Sequence, residues 1–481
     1  MADNMPRVRP RLALNYITLV GIPLSVLFVI LSLGSKFPGA TAGSNPGPLP
    51  AISNTVQSSA TQGLQNTGIL LAQICVIMLL SRALGAAAER IRQPRVIGEI
   101  VAGILLGPSI LGWLTPGPST FLFPSPSFAV LNSLSQLGLV LFMFMVGLEL
   151  NMKAVRRLGE VAVLVSHASI IAPMAFGAAL GLYLYPRLSN PTVSFEAFAL
   201  FMGAAMSVTA FPVLARILSE RNLLGSRIGS MAIACAAVDD VTGWCVLAYI
   251  VGAVRATHSS IPVWVSLCGL AGFLAVMIGG IRRLFGKIWD SCKKDGDLPD
   301  SLKVGLLLLL FLSALTTDVI GLHMLFGAFI AGAVMPKDRA FVSRITAKFE
   351  PLTVLVLLPL FFAYTGLRTR IGQVRGLGMW GFCLLIIAVA VIGKIGGTSV
   401  AARVSGMRWR DSLALGALMN TRGLMELVVL NIGLDLGVIS PALFSMMVVM
   451  AIVTTMMAAP VLRWAQVYST DHQATLLQSE V

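Results

Sequence analysis

Asp239 and Asp240 stand side by side near the middle of an apolar run, in "ACAAVDDVTGWCVLA". Lys394 occupies a similar place in "LLIIAVAVIGKIGGTSVAA", and Arg422 and Glu426 lie in "GALMNTRGLMELVVL". A charge at the centre of a membrane helix costs roughly 2.5–3.5 kcal/mol to insert, so each of these residues marks a functional site by default. One buried acid with one buried base can be a purely structural ion pair. Two adjacent acids resist that reading, because their repulsion makes double ionisation costly unless a cation or a lysine is close. The chemistry they suit is reversible binding of a proton or a metal cation. Successive helical residues project about 100° apart, so the two carboxylates need not share one pocket. Arg422 and Glu426 are one turn apart and can pair at i, i+4, which reads as a structural or site-adjacent contact.

Other chemistries find little support. The six cysteines lie mostly within apolar runs and form no Cys-x-x-Cys pair. His167, His258, His323 and His472 have neither metal-ligand spacing nor the spacing of a membrane-embedded hydrolase or acyltransferase. No strand followed by a glycine-rich phosphate loop is visible. The expectation is a protein that is not an enzyme and carries no cofactor.

The elements that must hold these residues are membrane spans. Hydrophobic residues make up 56% of the 481-residue chain, charged residues only 12%, and the mean hydropathy is +0.86. A soluble domain carries about 25% charge, and a span needs about 20 apolar residues. Fourteen runs qualify, near 12–34, 67–84, 96–113, 128–149, 161–185, 196–219, 226–253, 262–281, 304–319, 321–335, 351–367, 377–402, 411–433 and 440–462. The net charge of +14 is not a nucleic-acid signal. With the N-terminus inside, only Lys36, Arg187, Arg255, Arg368, Arg370 and Arg375 fall outside. Lys394 and Arg422 lie within spans, and the rest of the 35 lysines and arginines are cytoplasmic, as the positive-inside rule requires.

Residues 12–34 follow a basic segment and read as an uncleaved extra span, with a signal peptide as the alternative. Residues 35–66 are rich in Gly, Ser, Pro and Thr and read as an external linker. The membrane domain then runs over 67–463, and 464–481 form a short cytoplasmic tail. Two spans are interrupted: one at Ser207, Thr209 and Pro212, the other at Asn420, Thr421, Arg422 and Gly423. Breaks at matching places in two halves point to a midplane transport site, where freed backbone groups replace the water around an ion.

These stretches resemble the cation:proton antiporters, in the branch of Kef-type potassium efflux proteins, electrogenic bacterial Na+/H+ antiporters and plant cation/H+ exchangers. The resemblance runs from about Gly68 to Arg463. It is carried by "RQPRVIGEIVAGILLGPSILG" (92–112), "LGLVLFMFMVGLELN" (137–151), "SVTAFPVLARIL" (207–218), "AAVDDVTGW" (236–244), "GLHMLFGAFIAGAVMP" (321–336) and "MNTRGLMELVVLNIGL" (419–434). It implies an all-α inverted-repeat fold of 13–14 spans, with a dimerisation domain, a core domain and two crossed discontinuous helices. It places the ion-binding aspartate at Asp240, the preceding acid of electrogenic members at Asp239, and that acid's buried lysine partner at Lys394. The unwound segments map to 207–212 and 419–423. The nucleotide-gating domain of Kef-type proteins and the long plant-type tail are missing from this sequence.

The resemblance implies secondary antiport of Na+ or K+ against protons by a homodimer in the cell membrane, with both termini cytoplasmic and lipid as the surrounding partner. A monovalent cation at Asp240 and protons compete for the same carboxylates, and Lys394 beside Asp239 suggests electrogenic exchange. The rival readings are a passive cation channel, which would show a filter built for symmetric assembly, and an exporter of an organic compound on the same fold.

Overall fold

A computed structural model describes residues 12–34 and 59–466, apart from 92, 125, 150–151, 191–192, 221–222, 224–225, 259–262 and 293–298. The regular secondary structure among the described residues is helical, the expected outcome when lipid offers no partner for backbone N–H and C=O groups. The chain runs through α1 (Leu14–Gly34), α2 (Ser59–Arg90), α3 (Arg95–Leu106), α4 (Ser127–Glu149), α5 (Met152–Leu188), α6 (Phe195–Ser207), α7 (Phe211–Glu220) and α8 (Arg227–His258). It continues through α9 (Cys268–Ser291), α10 (Asp300–Val319), α11 (Met324–Val334), α12 (Arg339–Gln373), α13 (Gly376–Val404), α14 (Trp409–Met419), α15 (Leu424–Asp435) and α16 (Pro441–Gln466). Among the described residues, eleven helices are long and apolar enough to cross a membrane, twelve if α14 and α15, bent by 46°, count as one broken span, and α6 and α11 are shorter apolar helices. These correspond to the fourteen runs expected from hydropathy.

The order of α2–α8 repeats in α10–α16, with α9 between, and the interrupted span is the fifth in each half. The first three spans of each half, α2–α4 and α10–α12, build one body. Within it α4 crosses α11 and α3 lies between α2 and α12. Glycines set these crossings. A Cβ on Gly332 would sit 2.0 Å from the Phe144 carbonyl oxygen, and one on Gly147 would sit 2.2 Å from that of Phe329. Backbones approach this closely only where a side chain is absent. Lys337 closes the same crossing, its Nζ lying 2.7 Å from Gly147 O, 3.0 Å from Leu148 O and 3.1 Å from Gly332 O. A cation there faces the carbonyls that two helix ends leave open.

The last three spans of each half build the core body. Its centre is α5, which packs along α6, α8 and α13. The extra span α1 lies against α5 and α6, and the Tyr16 hydroxyl is 2.7 Å from His167 Nδ1 on α5. It therefore joins the core body, a placement that hydropathy leaves open. The expected linker lies outside the described residues up to 58, and α2 starts at Ser59, before the expected 67. Most of the C-terminal tail also lies outside the described residues.

The two breaks are narrower than the expected 207–212 and 419–423. Helix α6 ends at Ser207 and the chain is helical again from Phe211. Pro212 stands in the first turn of α7, where a missing N–H leaves no hydrogen bond unmade. In the second half, α14 ends at Met419 and α15 begins at Leu424.

Candidate ion site

The breaks meet. Ala210 N donates to Thr421 O across them at 3.0 Å. The Thr209 hydroxyl lies 2.8 Å from Asp239 Oδ2 and 2.9 Å from Met419 O, so its single proton serves two acceptors on two elements. Helix α8 passes alongside both α6 and α14, bringing its two acids to the crossing.

Asp239 is 1% exposed and its carboxylate is enclosed by donors. The Ser166 hydroxyl donates to Oδ1 at 2.5 Å, and the Ser169 hydroxyl lies 3.1 Å from Oδ1 and 3.0 Å from Oδ2. Lys394 Nζ is 3.0 Å from Oδ2. The ammonium also faces Ser169 O at 2.9 Å and donates to Ser207 O, so its protons are spread over a carboxylate and two carbonyls. The Ile392–Gly396 turn is π-helical, a local widening that is frequent at functional sites, and Lys394 stands at its middle.

Asp240 differs from its neighbour. It is 3% exposed, and its Oδ1 has no hydrogen-bond partner among the described residues. The same holds for Asn420 Oδ1 in the second break and for Trp244 Nε1, one turn along α8 from Asp240. A buried polar atom without a partner costs about 1–3 kcal/mol, so each asks for a ligand, a proton or water. Within one residue the chain thus presents a carboxylate satisfied by its own side chains and one left unsatisfied.

The remaining residues expected at the site are arranged around it. The Ser207 hydroxyl turns back to Ala204 O at 2.9 Å, and Thr421 Oγ1 bonds Leu418 O at 2.8 Å. Both present backbone to the crossing, through Ser207 O and Thr421 O. Arg422 does more than pair with Glu426. Its guanidinium donates to Ala205 O at 2.7 Å and Met206 O at 2.6 Å, while the nearest Glu426 oxygen is 3.5 Å away. Together with Lys394 on Ser207 O, it places two cations on the carbonyl end of α6, the negative end of that half-helix. Hydropathy and charge did not reveal Ser166 and Ser169. The available signal was "SHAS" (166–169), a polar cluster inside the 161–185 run.

Two bodies of three spans per repeat, with two broken helices crossing beside buried acids, define a secondary-transporter fold. The solved structure of the sodium proton antiporter MjNhaP1 from Methanocaldococcus jannaschii at pH 8 matches it with a TM-score of 0.60 at 15% identity. That match covers 83% of this chain and 97% of the other. The sodium/hydrogen exchanger transmembrane family model matches residues 75–465, and the chain belongs to that family. Among its relatives, the Na(+)/H(+) antiporter NhaS4 of Synechocystis is 42% identical over 393 residues, covering 82% of this chain and 96% of that protein. Cation/H(+) antiporter 17 of Arabidopsis thaliana is 41% identical over 418 residues, covering 86% and 50% respectively. K(+)/H(+) antiporter 1 of Saccharomyces cerevisiae is 34% identical over 399 residues, covering 82% and 46%. The chain thus spans nearly all of the cyanobacterial relative and about half of the plant and yeast ones.

Proposed function

We propose that this protein exchanges Na+ or K+ for protons, with Asp240 as the carboxylate that cation and proton share. The observation that carries this is the contrast within the acid pair. Asp239 is held by three hydroxyls and Lys394, whereas Asp240 Oδ1 has no partner among the described residues. A dehydrated monovalent cation needs oxygen ligands. Asp240 and Asn420, with backbone oxygens from the breaks, supply that chemistry. The relatives' names include both Na+ and K+ antiporters, which fits a site built from oxygens.

In this reading a proton neutralises Asp240 on one half-cycle and a cation does so on the other. Either state avoids a bare charge in the membrane interior. Rocking of the core body against the body of α2–α4 and α10–α12 alternates access. The direct test is a pH jump in proteoliposomes with Na+, K+ and choline in parallel. Proton movement with one or both alkali cations and none with choline is expected; equal rates with all three would sink the proposal.

The membrane orientation belongs to the same proposal. The 282–303 segment and the Arg403/Arg408/Arg410 cluster face the cytoplasm, with the N-terminus, and residues 35–66 are external. An impermeant thiol reagent should therefore reach a Ser44→Cys side chain from outside only. Labelling from the cytoplasmic side alone would reverse the orientation.

A further inference from the structure

The two bodies are joined by a compact polar cluster at one face of the molecule, where α12 meets α15. Arg368, near the end of α12, places Nη2 2.6 Å from Asp435 Oδ1 and Nη1 3.0 Å from Asn431 Oδ1. Asn431 Nδ2 then donates to Thr365 Oγ1 on α12 at 2.9 Å, and the Thr365 hydroxyl donates on to Phe361 O at 3.0 Å. Asn431 is 3% exposed and Thr365 fully buried. The Arg368 and Asp435 side chains are 18% and 43% exposed, so the cluster runs from solvent into the boundary between the bodies. The Arg368 guanidinium also stands 5.5 Å from the centre of the Tyr364 ring.

Beside this cluster lies a cavity of about 630 Å3. Pro108, Phe128 and Tyr364 line it from one body, and Leu434 and Pro441 line it from the core. Arg368 stands in its wall. In the orientation proposed above, the cavity and the cluster lie on the external side. Arg370 also lines the cavity, and Asp435, the core acid at this entrance, is held by Arg368.

We propose that Arg368, Asp435 and Asn431 form a latch that holds the core closed against its neighbour at the external face, and that it must open for cation to enter from outside. Hydrogen bonds tolerate displacements of only a few tenths of an ångström. Any sliding of α15 along α12 therefore breaks all three contacts together, which makes the cluster a two-state element. Opening also separates the Asp435 carboxylate from the Arg368 guanidinium, so the core side of the entrance then presents an acid without its cation. Asn431 is the positioning residue, since its amide bonds both helices at once. The proposal rests on the exchanger reading for what the latch controls, though not for its existence.

The test uses the full chain in lipid nanodiscs and proteoliposomes, as wild type, Arg368→Gln, Asp435→Asn and the charge-swapped Arg368→Asp/Asp435→Arg double variant. Removing an ion pair with its buried hydrogen bond should enlarge the open population about three- to tenfold. Deuterium uptake in 361–373 and 429–440 should therefore be faster by about that factor in both single variants. The half-saturating external cation concentration should fall by about the same factor, while the cytoplasmic one does not fall. The swapped pair should restore both. A merely structural contact would lower thermal stability without this sidedness. Deuterium uptake does not depend on transport. Unchanged uptake in folded single variants overturns the latch even if the wild-type protein exchanges cations, and faster uptake supports it whatever the wild-type protein carries. If Arg368→Gln does not fold, Asp435→Asn, at the more exposed partner, carries the same comparison.

Discussion

Asp240→Asn is expected to abolish cation-driven proton movement while the protein still folds and inserts. The substitution keeps the shape of the side chain and removes its ability to carry a charge or exchange a proton. Stranding a cation among neutral ligands in a buried site costs about 3–5 kcal/mol, which at 1.4 kcal/mol per decade is a loss of roughly a hundred- to a few thousandfold in cation affinity. Stability should hold or rise, because Asp240 Oδ1 makes no hydrogen bond among the described residues that the variant would lose. Asp240→Glu keeps the charge with one more methylene and should retain part of the activity. The measurement is the proteoliposome pH jump with a thermal melt of the same preparation. Wild-type rates in Asp240→Asn would reject Asp240 as the shared carboxylate.

Lys394→Gln is expected to have the second largest effect, and it separates two roles. The ammonium is fully buried against Asp239 and the carbonyl end of α6. Removing it leaves a buried carboxylate with hydroxyl donors alone, at a cost of about 3–5 kcal/mol. That should appear as a marked fall in melting temperature. Asp239→Asn in the same background should recover part of the loss, since the double variant carries neither charge. If Lys394 also takes part in coupling, wild-type exchange responds to a clamped potential, at about 2.3 kcal/mol per elementary charge per 100 mV. The variant then keeps some exchange and loses that response. Wild-type exchange indifferent to imposed voltage would reject electrogenic coupling and leave cation/proton exchange standing. A variant that is destabilised yet fully voltage-sensitive would make Lys394 a structural partner only.

Arg422 and Glu426 show how much spacing alone leaves out. Their i, i+4 separation predicts a simple intrahelical pair, and the pair exists at 3.5 Å. The guanidinium's closer contacts are the carbonyls of Ala205 and Met206, more than 200 residues away in the chain. Helix ends leave carbonyls open, but which cation reaches which end depends on how the two broken spans cross. No local pattern encodes that crossing. The position of α1 is similar: hydropathy identifies a span, while its docking on α5 follows from shape and from the Tyr16–His167 contact.

The sequence by itself determined the membrane class, the number and rough limits of the spans, the two interruptions, and the buried charges that define the candidate site. Each of these is set by composition within a window of about twenty residues, the length that a bilayer imposes. Resemblance carried over through short motifs then paired Lys394 with Asp239. Tertiary structure decided which acid is satisfied and which is not. Ser166 and Ser169 come from α5, Thr209 from the first break and Lys394 from α13, and all four converge on Asp239 alone. Asp240 lies one residue further along α8, rotated by about 100°. That rotation turns its Oδ1 away from the donors that enclose its neighbour.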